Sequence, residues 1–465
     1  MLVTGLLTLQ NVLLGVGPLG GIIHVPSDSP TVQIVVADML AATVMSVAQD
    51  ASVSTSIESA GASGDVACSF KLTASEGLPE DRFGVGVAVS GDFAAASSTL
   101  LGRNQAVGGQ TGFVYVFHHQ GVAWIEAQKL EIKDVNSGFY LPIAMSGNRL
   151  IVGAVGSQAA YMFRSDSKNW IEEARLTPGD LPSVAFGWSV SIDSDVAAVG
   201  AYEDDNERGD DAGSVYVFRR DALGWTQEAK LIASDGNAHD RFGWSVCVSG
   251  DRLVAAAAEH DHVGDYSGSV YVFRYNGASW TEEVELIGSD THAQDLFGFS
   301  VGLYGDFLAV GARDADPAAN GSGAVYVFQR LGTGWTEMSK LIASDAAAGD
   351  QFGASVSIRG DRIIVGANRA DPGGIDAAGA AYVFRRVEEN WLEEAKLTAL
   401  DGANEDEFAS SISTDGTTII TGAYLADNNF PAGSNFGAAY VYALIRPSNI
   451  MTSVEPDGRS GCSRS

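Results

Sequence analysis

The sequence predicts an all-β fold: a seven-bladed β-propeller of four-stranded antiparallel blades, closed by an N-terminal strand that completes the last blade. Three observations predict it. A Phe-Gly position recurs at Phe83, Phe139, Phe186, Phe242, Phe297, Phe352 and Phe408, in steps of 56, 47, 56, 55, 55 and 56 residues. Two unrelated markers keep the same period. The last copy lacks a strand that stands unclaimed ahead of the first.

Each repeat reads as four short strands. In the third copy, Phe186 to Ile192 alternates large and small residues, the period of a strand that packs differently on its two faces. A Gly-Asp turn follows in several copies, for instance Ser249-Gly250-Asp251 and Ser90-Gly91-Asp92, with the backbone freedom a tight hairpin needs. The second strand, Val196 to Gly200, is a nearly continuous apolar run, as expected of a strand covered on both faces. The third is the Val-Tyr-Val-Phe marker at Val114, Val215, Val270 and Val325, with variants at Tyr161, Tyr382 and Tyr440. The fourth runs from a tryptophan (Trp124, Trp170, Trp225, Trp280, Trp335, Trp391) to a basic-Leu pair five residues on, such as Lys230-Leu231. Glu285-Leu286 is the acidic exception. The last copy, Phe408 to Tyr442, stops after three strands. Val66 to Thr73, with Lys71-Leu72, supplies the missing one and removes two sheet edges. The expected organisation is therefore an N-terminal segment 1–65, a propeller 66–443 and a polar tail 444–465.

Composition narrows the partners. The 58 acids against 28 bases give a net charge of −30, which repels nucleic-acid phosphates and anionic membranes. The apolar run Leu6 to Leu14 lacks a preceding Lys or Arg and is too short and Gly-broken to span a membrane. Neither nucleic acid nor direct membrane insertion is expected. Cys68, Cys247 and Cys462 are too far apart for a disulfide framework or a zinc spacing. The stretch 22–33 is similar to the opening of right-handed β-helix proteins, without the rungs that should follow.

Phe242-Gly243-Trp244-Ser245-Val246, Arg252 to Ala256 and Gly268 to Phe273 resemble an FG-GAP repeat. The Gly-Ala element stands at Gly200-Ala201, Gly311-Ala312 and Gly366-Ala367. The resemblance covers about residues 66 to 443. It implies the integrin-α-like propeller head also built by bacterial surface and secreted proteins, hence an extracellular or cell-surface location and a role in recognition or adhesion. One departure matters. Integrin-type repeats carry a Ca2+ loop between the first two strands, and here that place holds only a short turn. A turn this short cannot bring together the six or seven oxygens calcium takes.

The loops between strands two and three are the longest and all emerge on one face, where binding usually sits. In the third copy this loop is acidic. Asp204, Asp205, Asn206 and Asp210 are its candidate ligands for a divalent cation such as Ca2+, the one cofactor left open, against a reading as solvated turns. Arg208-Gly209-Asp210 spells the tripeptide integrins recognise. Acid pairs recur in the connections between copies (Asp235/Asp240, Asp290/Asp295, Asp345/Asp350, Asp401/Asp406, Glu76/Asp81) and are read as turn capping. His260 and His262, flanking Asp261, are read as surface histidines with no completing zinc ligands nearby. Trp188 and Trp244 are read as packing between blades. No nucleophile elbow, P-loop or HExxH motif is present. The expected function is a non-catalytic recognition or adhesion scaffold for a protein or glycan ligand. A propeller enzyme (hydrolase or lyase) at the central channel and a purely structural module remain alternatives.

Overall fold

The computed structural model describes residues 66–99, 111–121, 123–133, 140–166, 168–180, 184–428 and 434–444, with five short strands nearer the N-terminus, Leu6–Leu9, Val12–Gly15, Val32–Val35, Val44–Val47 and Ile57–Glu58. The rest of the 1–65 segment, Phe139, the tail beyond Leu444 with Cys462, and most of the β-helix-like stretch lie outside the described residues.

Six consecutive antiparallel four-stranded sheets begin at Val87, Ile143, Ser189, Phe242, Phe297 and Phe352. They form blades one to six. Blade seven contains Ser411–Thr414, Thr418–Ala423 and Ala438–Leu444. The last of these pairs antiparallel with Val66–Leu72, Ala439 opposite Leu72 and Leu444 opposite Val66. Ile57–Glu58 adds a further short pairing, so this sheet has five strands where four were expected. The innermost strand of each blade packs on that of the next, and Ser411–Thr414 packs on Val87–Ser90. Because successive strands are antiparallel, the start of the innermost strand, the loop between strands two and three and the connection between blades share one face. The two hairpin turns lie on the other. We call these the loop face and the turn face.

The Phe-Gly and Gly-Ala elements sit where neighbouring backbones nearly touch. A Cβ on Gly200 of blade three would lie 2.1 Å from the Gly243 carbonyl oxygen of blade four. The same approach recurs from Gly153 to Gly187, from Gly311 to Gly353 and, between the last blade and the first, from Gly422 to Gly84. The phenylalanine ahead of this glycine is fully buried and meets two third-strand aromatics edge-on. Phe186 packs on Tyr216 at 5.3 Å and on Phe218 at 6.2 Å. Alternate residues along the strands thus fill the spaces between sheets, and the fourth-strand residues Trp124, Trp170, Trp280 and Trp391 are buried at the rim.

A polar latch joins the blades on the loop face. Tyr326 donates to Asp290 at 2.8 Å, Tyr382 to Asp345 at 2.7 Å and Tyr440 to Asp401 at 2.7 Å. The same carboxylates accept from Lys340 at 2.8 Å, Lys396 at 2.6 Å and Lys71. The connection before Phe186 carries no full acid pair, yet Asp180 fills the first position and meets Lys230 at 2.6 Å. Each latch ties an inter-blade connection to the outer strands of the following blade.

Two expectations follow. Gly323 has φ +82° and its Cβ would lie 2.0 Å from the Phe352 carbonyl oxygen, whereas Gly332 has φ +65° and open space. Gly323→Ala should destabilise by at least about 2 kcal/mol, and Gly332→Ala by only about 1 kcal/mol, by chemical denaturation. Burial raises the Asp345 pKa, but Lys396 and Tyr382 more than offset it, and the net shift is downward. A lowered carboxyl pKa stabilises the fold above the unfolded-state value and loses that effect as pH falls through the folded one. Asp345→Asn should therefore cost roughly 0.5–1 kcal/mol at neutral pH, after allowing for solvent screening at this exposed carboxylate. The deficit relative to wild type should close below about pH 4 in a pH series of melts.

Candidate functional site

The acidic loop of blade three is organised by protein donors. Asp204 is buried and accepts from Lys230 at 2.9 Å and from Tyr216 at 3.3 Å. Asp205 accepts the Asp211 N–H at 2.8 Å. Asn206 accepts the Arg208 N–H at 2.8 Å and donates to the Gly213 carbonyl at 2.7 Å. Asp210 contributes its backbone carbonyl, which accepts from the His239 N–H at 2.9 Å. The position of Asp205 recurs as Asp261, Asp316, Asp371 and Asp427, each accepting a backbone N–H across its own loop. This recurrent aspartate closes the loop by hydrogen bonding. Arg208 and Asp210 stand exposed at the tip.

The paired acids divide their work. The first member holds the latch. The second, in Asp81, Asp240, Asp295, Asp350 and Asp406, accepts the backbone N–H three residues earlier at 2.6–2.9 Å. Burial raises the carboxyls of Asp295, Asp350 and Asp406 even against that hydrogen bond. In blade six, the space between latch and loop is an open pocket of about 370 Å3, lined by Asp345, Asp350, Pro372 and Lys396 among others.

Blade four departs from the pattern. Its latch keeps Tyr271 on Asp235, at 2.9 Å, but Glu285 stands where the other blades carry Lys or Arg. Beside it lies His260, which was expected on the surface and is buried, with 6% exposure. Its position corresponds to Asp204 in blade three and to Ala315, Ala370 and Ala426 further on, which are also buried. The loop folds back so that the His260 carbonyl accepts the Gly268 N–H, and this turns the ring inward. Asp240 meets His260 Nδ1 at 2.8 Å. Burial disfavours the charged imidazole, but Asp240, Asp235 and Glu285 outweigh it and raise the pKa. Glu285 Oε1 lies 2.9 Å from His262 Nδ1, 3.9 Å from His260 Nε2, and accepts from Ser269 at 2.7 Å. One ligand atom each from Asp235, His260, His262 and Glu285 falls within 4.8 Å of the others. Sequence spacing did not reveal this set, because its members come from a connection, a loop and an outer strand. The visible signal was Glu285 breaking the basic series.

Nearer the axis, the loop face carries an aromatic arc. Residues that follow Phe-Gly meet residues that follow Gly-Ala. Trp188 lies 4.6 Å from Tyr202 and 5.3 Å from Trp244, which in turn lies 5.6 Å from Phe299. Tyr140 extends the row at 5.1 Å from Trp188, and the Arg313 guanidinium covers Phe299 at 3.8 Å. Trp188 and Trp244 do join blades, as expected, but both remain partly open to solvent, and Tyr140 is 37% exposed.

The family model for the FG-GAP repeat matches residues 69–117, 170–218, 225–273, 280–328, 335–384 and 391–442. No curated protein matches the chain. Among solved structures, one described as "Structure of U3-55K" is similar at 11% identity and a TM-score of 0.50, over 80% of this chain and 98% of that one. Another, described as "Crystal structure of RRP9 WD40 repeats", is similar at 10% identity and a TM-score of 0.50, over 84% of this chain and all of that one. At such identity these likenesses speak to the propeller fold alone. With six matched copies spanning well over half of its length, the chain belongs to the FG-GAP repeat family.

Proposed function

We propose that the protein is a non-catalytic recognition scaffold, at the cell surface or outside the cell, that binds a protein or glycan through the loop face of the propeller. The observation that carries this reading is the aromatic arc Tyr140–Trp188–Tyr202–Trp244–Phe299. Its rings pack on one another at blade junctions and stay partly uncovered. Aromatic side chains fixed this way offer large contact area at small entropic cost, which is why they dominate binding hot spots. Arg313 and the Arg241–Glu259 pair, 2.7 Å apart, add polar groups beside them. The raised carboxyls of Asp295, Asp350 and Asp406 recur from blade to blade and hold turns. That pattern favours recognition over a catalytic reading, which needs one blade to stand apart in chemistry at the channel.

A glycan and protein array probed with the full chain tests the proposal. Ligands retained by the array should lose at least tenfold in affinity with Trp188→Ala or Trp244→Ala. Leu331→Ser on the turn face, where Leu331 is 54% exposed, should bind as wild type does. Binding that ignores both tryptophans and falls with the turn-face variant would place recognition on the opposite side of the disc.

A further inference from the structure

We propose that Asp235, His260, His262 and Glu285 bind one divalent transition-metal cation of the zinc type on the loop face of blade four. The strongest argument is internal to the chain. Six blades place a Lys or Arg at the Glu285 position, and in blades three, five, six and seven a lysine there neutralises an acid of the inter-blade connection. Blade four keeps Asp235 and Asp240, replaces the base with a third carboxylate and adds two histidines. Among the described residues, no Lys or Arg pairs with Asp235, Asp240 or Glu285. A bound cation would supply the positive charge that the lysine supplies elsewhere.

The geometry supports the assignment independently of charge. His260 is buried and anchored through Nδ1 to Asp240, whose carboxylate is itself held by the Asn237 N–H at 2.6 Å. This is how metal-binding histidines are commonly oriented, one ring nitrogen on a carboxylate and the other facing the ion. Here the free nitrogen, Nε2, faces Glu285 Oε1 at 3.9 Å, too far for a hydrogen bond. The two imidazoles lie 5.9 Å apart at 50°. Bonds of about 2.0–2.1 Å require ligand atoms roughly 3.3 Å apart, so the present spread of up to 4.8 Å closes with movements on the order of an ångström. Asp235 and His262 are both exposed, so both have room to move. Two nitrogen donors and two carboxylates favour zinc and its neighbours over calcium or magnesium, which take oxygen. The ion would join the connection between blades three and four to the second loop and the outermost strand of blade four, in the place of the latch.

Equilibrium dialysis of the full chain against Zn2+ at micromolar concentration tests this, with Co2+ absorption and thermal melts as second readouts. One ion per chain is expected, with a melting point raised by Zn2+ and unmoved by Ca2+ or Mg2+, and visible Co2+ bands of a low-symmetry nitrogen and oxygen site. Glu285→Lys restores the residue of the other blades. It should lower zinc affinity at least tenfold while leaving the metal-free melting point at or above that of wild type. His262→Gln should lower the affinity similarly. No uptake by the wild type, stabilisation by Ca2+ equal to that by Zn2+, or zinc binding untouched by both substitutions would overturn the proposal.

Discussion

The structure depends on how closely one sheet's backbone approaches the next. At the Gly-Ala element of one blade and the Phe-Gly of the following one, there is no room for a side chain. A Cβ on Gly422 would sit 1.9 Å from the Gly84 carbonyl oxygen. This contact joins the last blade to the first, and equivalent contacts stand at Gly153, Gly200, Gly311 and Gly366. It fixes the spacing of the sheets near the axis, and the phenylalanine beside it fills the space just outward. Serine hydroxyls reinforce the junction, as where Ser189 donates to the Gly243 carbonyl at 2.8 Å and Ser411 to Gly84 at 2.9 Å. The motif is therefore a packing rule. Glycine stands where backbone meets backbone, and an aromatic residue stands where a gap between sheets widens.

A rigid repeat of this kind settles the meaning of recurrent polar residues. The loop-closing aspartate, the turn-capping aspartate and the Tyr–Asp–Lys latch each appear in several blades with nearly the same partners and distances. A group with the same partners in every blade is part of the scaffold, even when burial shifts its titration. The Asp350 carboxyl is raised while the Asp345 carboxyl close by is lowered, because one is buried on a backbone donor and the other sits beside Lys396. Individual function then has to be sought in departures from the repeat: the aromatic arc confined to some blades, and the changed latch of blade four.

Most of the fold was legible because it is written at fixed intervals. Phe, Trp and Val-Tyr-Val-Phe positions mark strands whose neighbours are the next copies of themselves, so long-range contacts could be read from a local pattern. Asp180 was missed because the repeat is shortened around blades two and three, which hides the equivalence until Lys230 is seen against it. His260 was misread because a histidine in a polar loop looks exposed. Only the fold-back that bonds Gly268 to its carbonyl turns the ring inward. The aromatic arc was half legible. Trp188 and Trp244 share a repeat position, but their meeting with Tyr202 depends on the angle at which blades pack, and no spacing reports that.

Blade four shows why a departure from a repeat is informative as chemistry. With glutamate in place of lysine, a cluster that already holds two aspartates carries three carboxylates, an arrangement that a bound cation would stabilise. Asp240 is engaged by His260 Nδ1 at 2.8 Å. His262, Glu285 and Asp235 remain as donors on one side of the buried ring, converging from three separate segments. Neighbouring blades hold the same place with a single ammonium group tied to one strand. An ion with several coordination positions can instead tie a connection, a loop and a strand at once. A bound ion there would couple the blade-four loop to its connection and outer strand on the same face as the aromatic arc, without any change to the glycine contacts between blades.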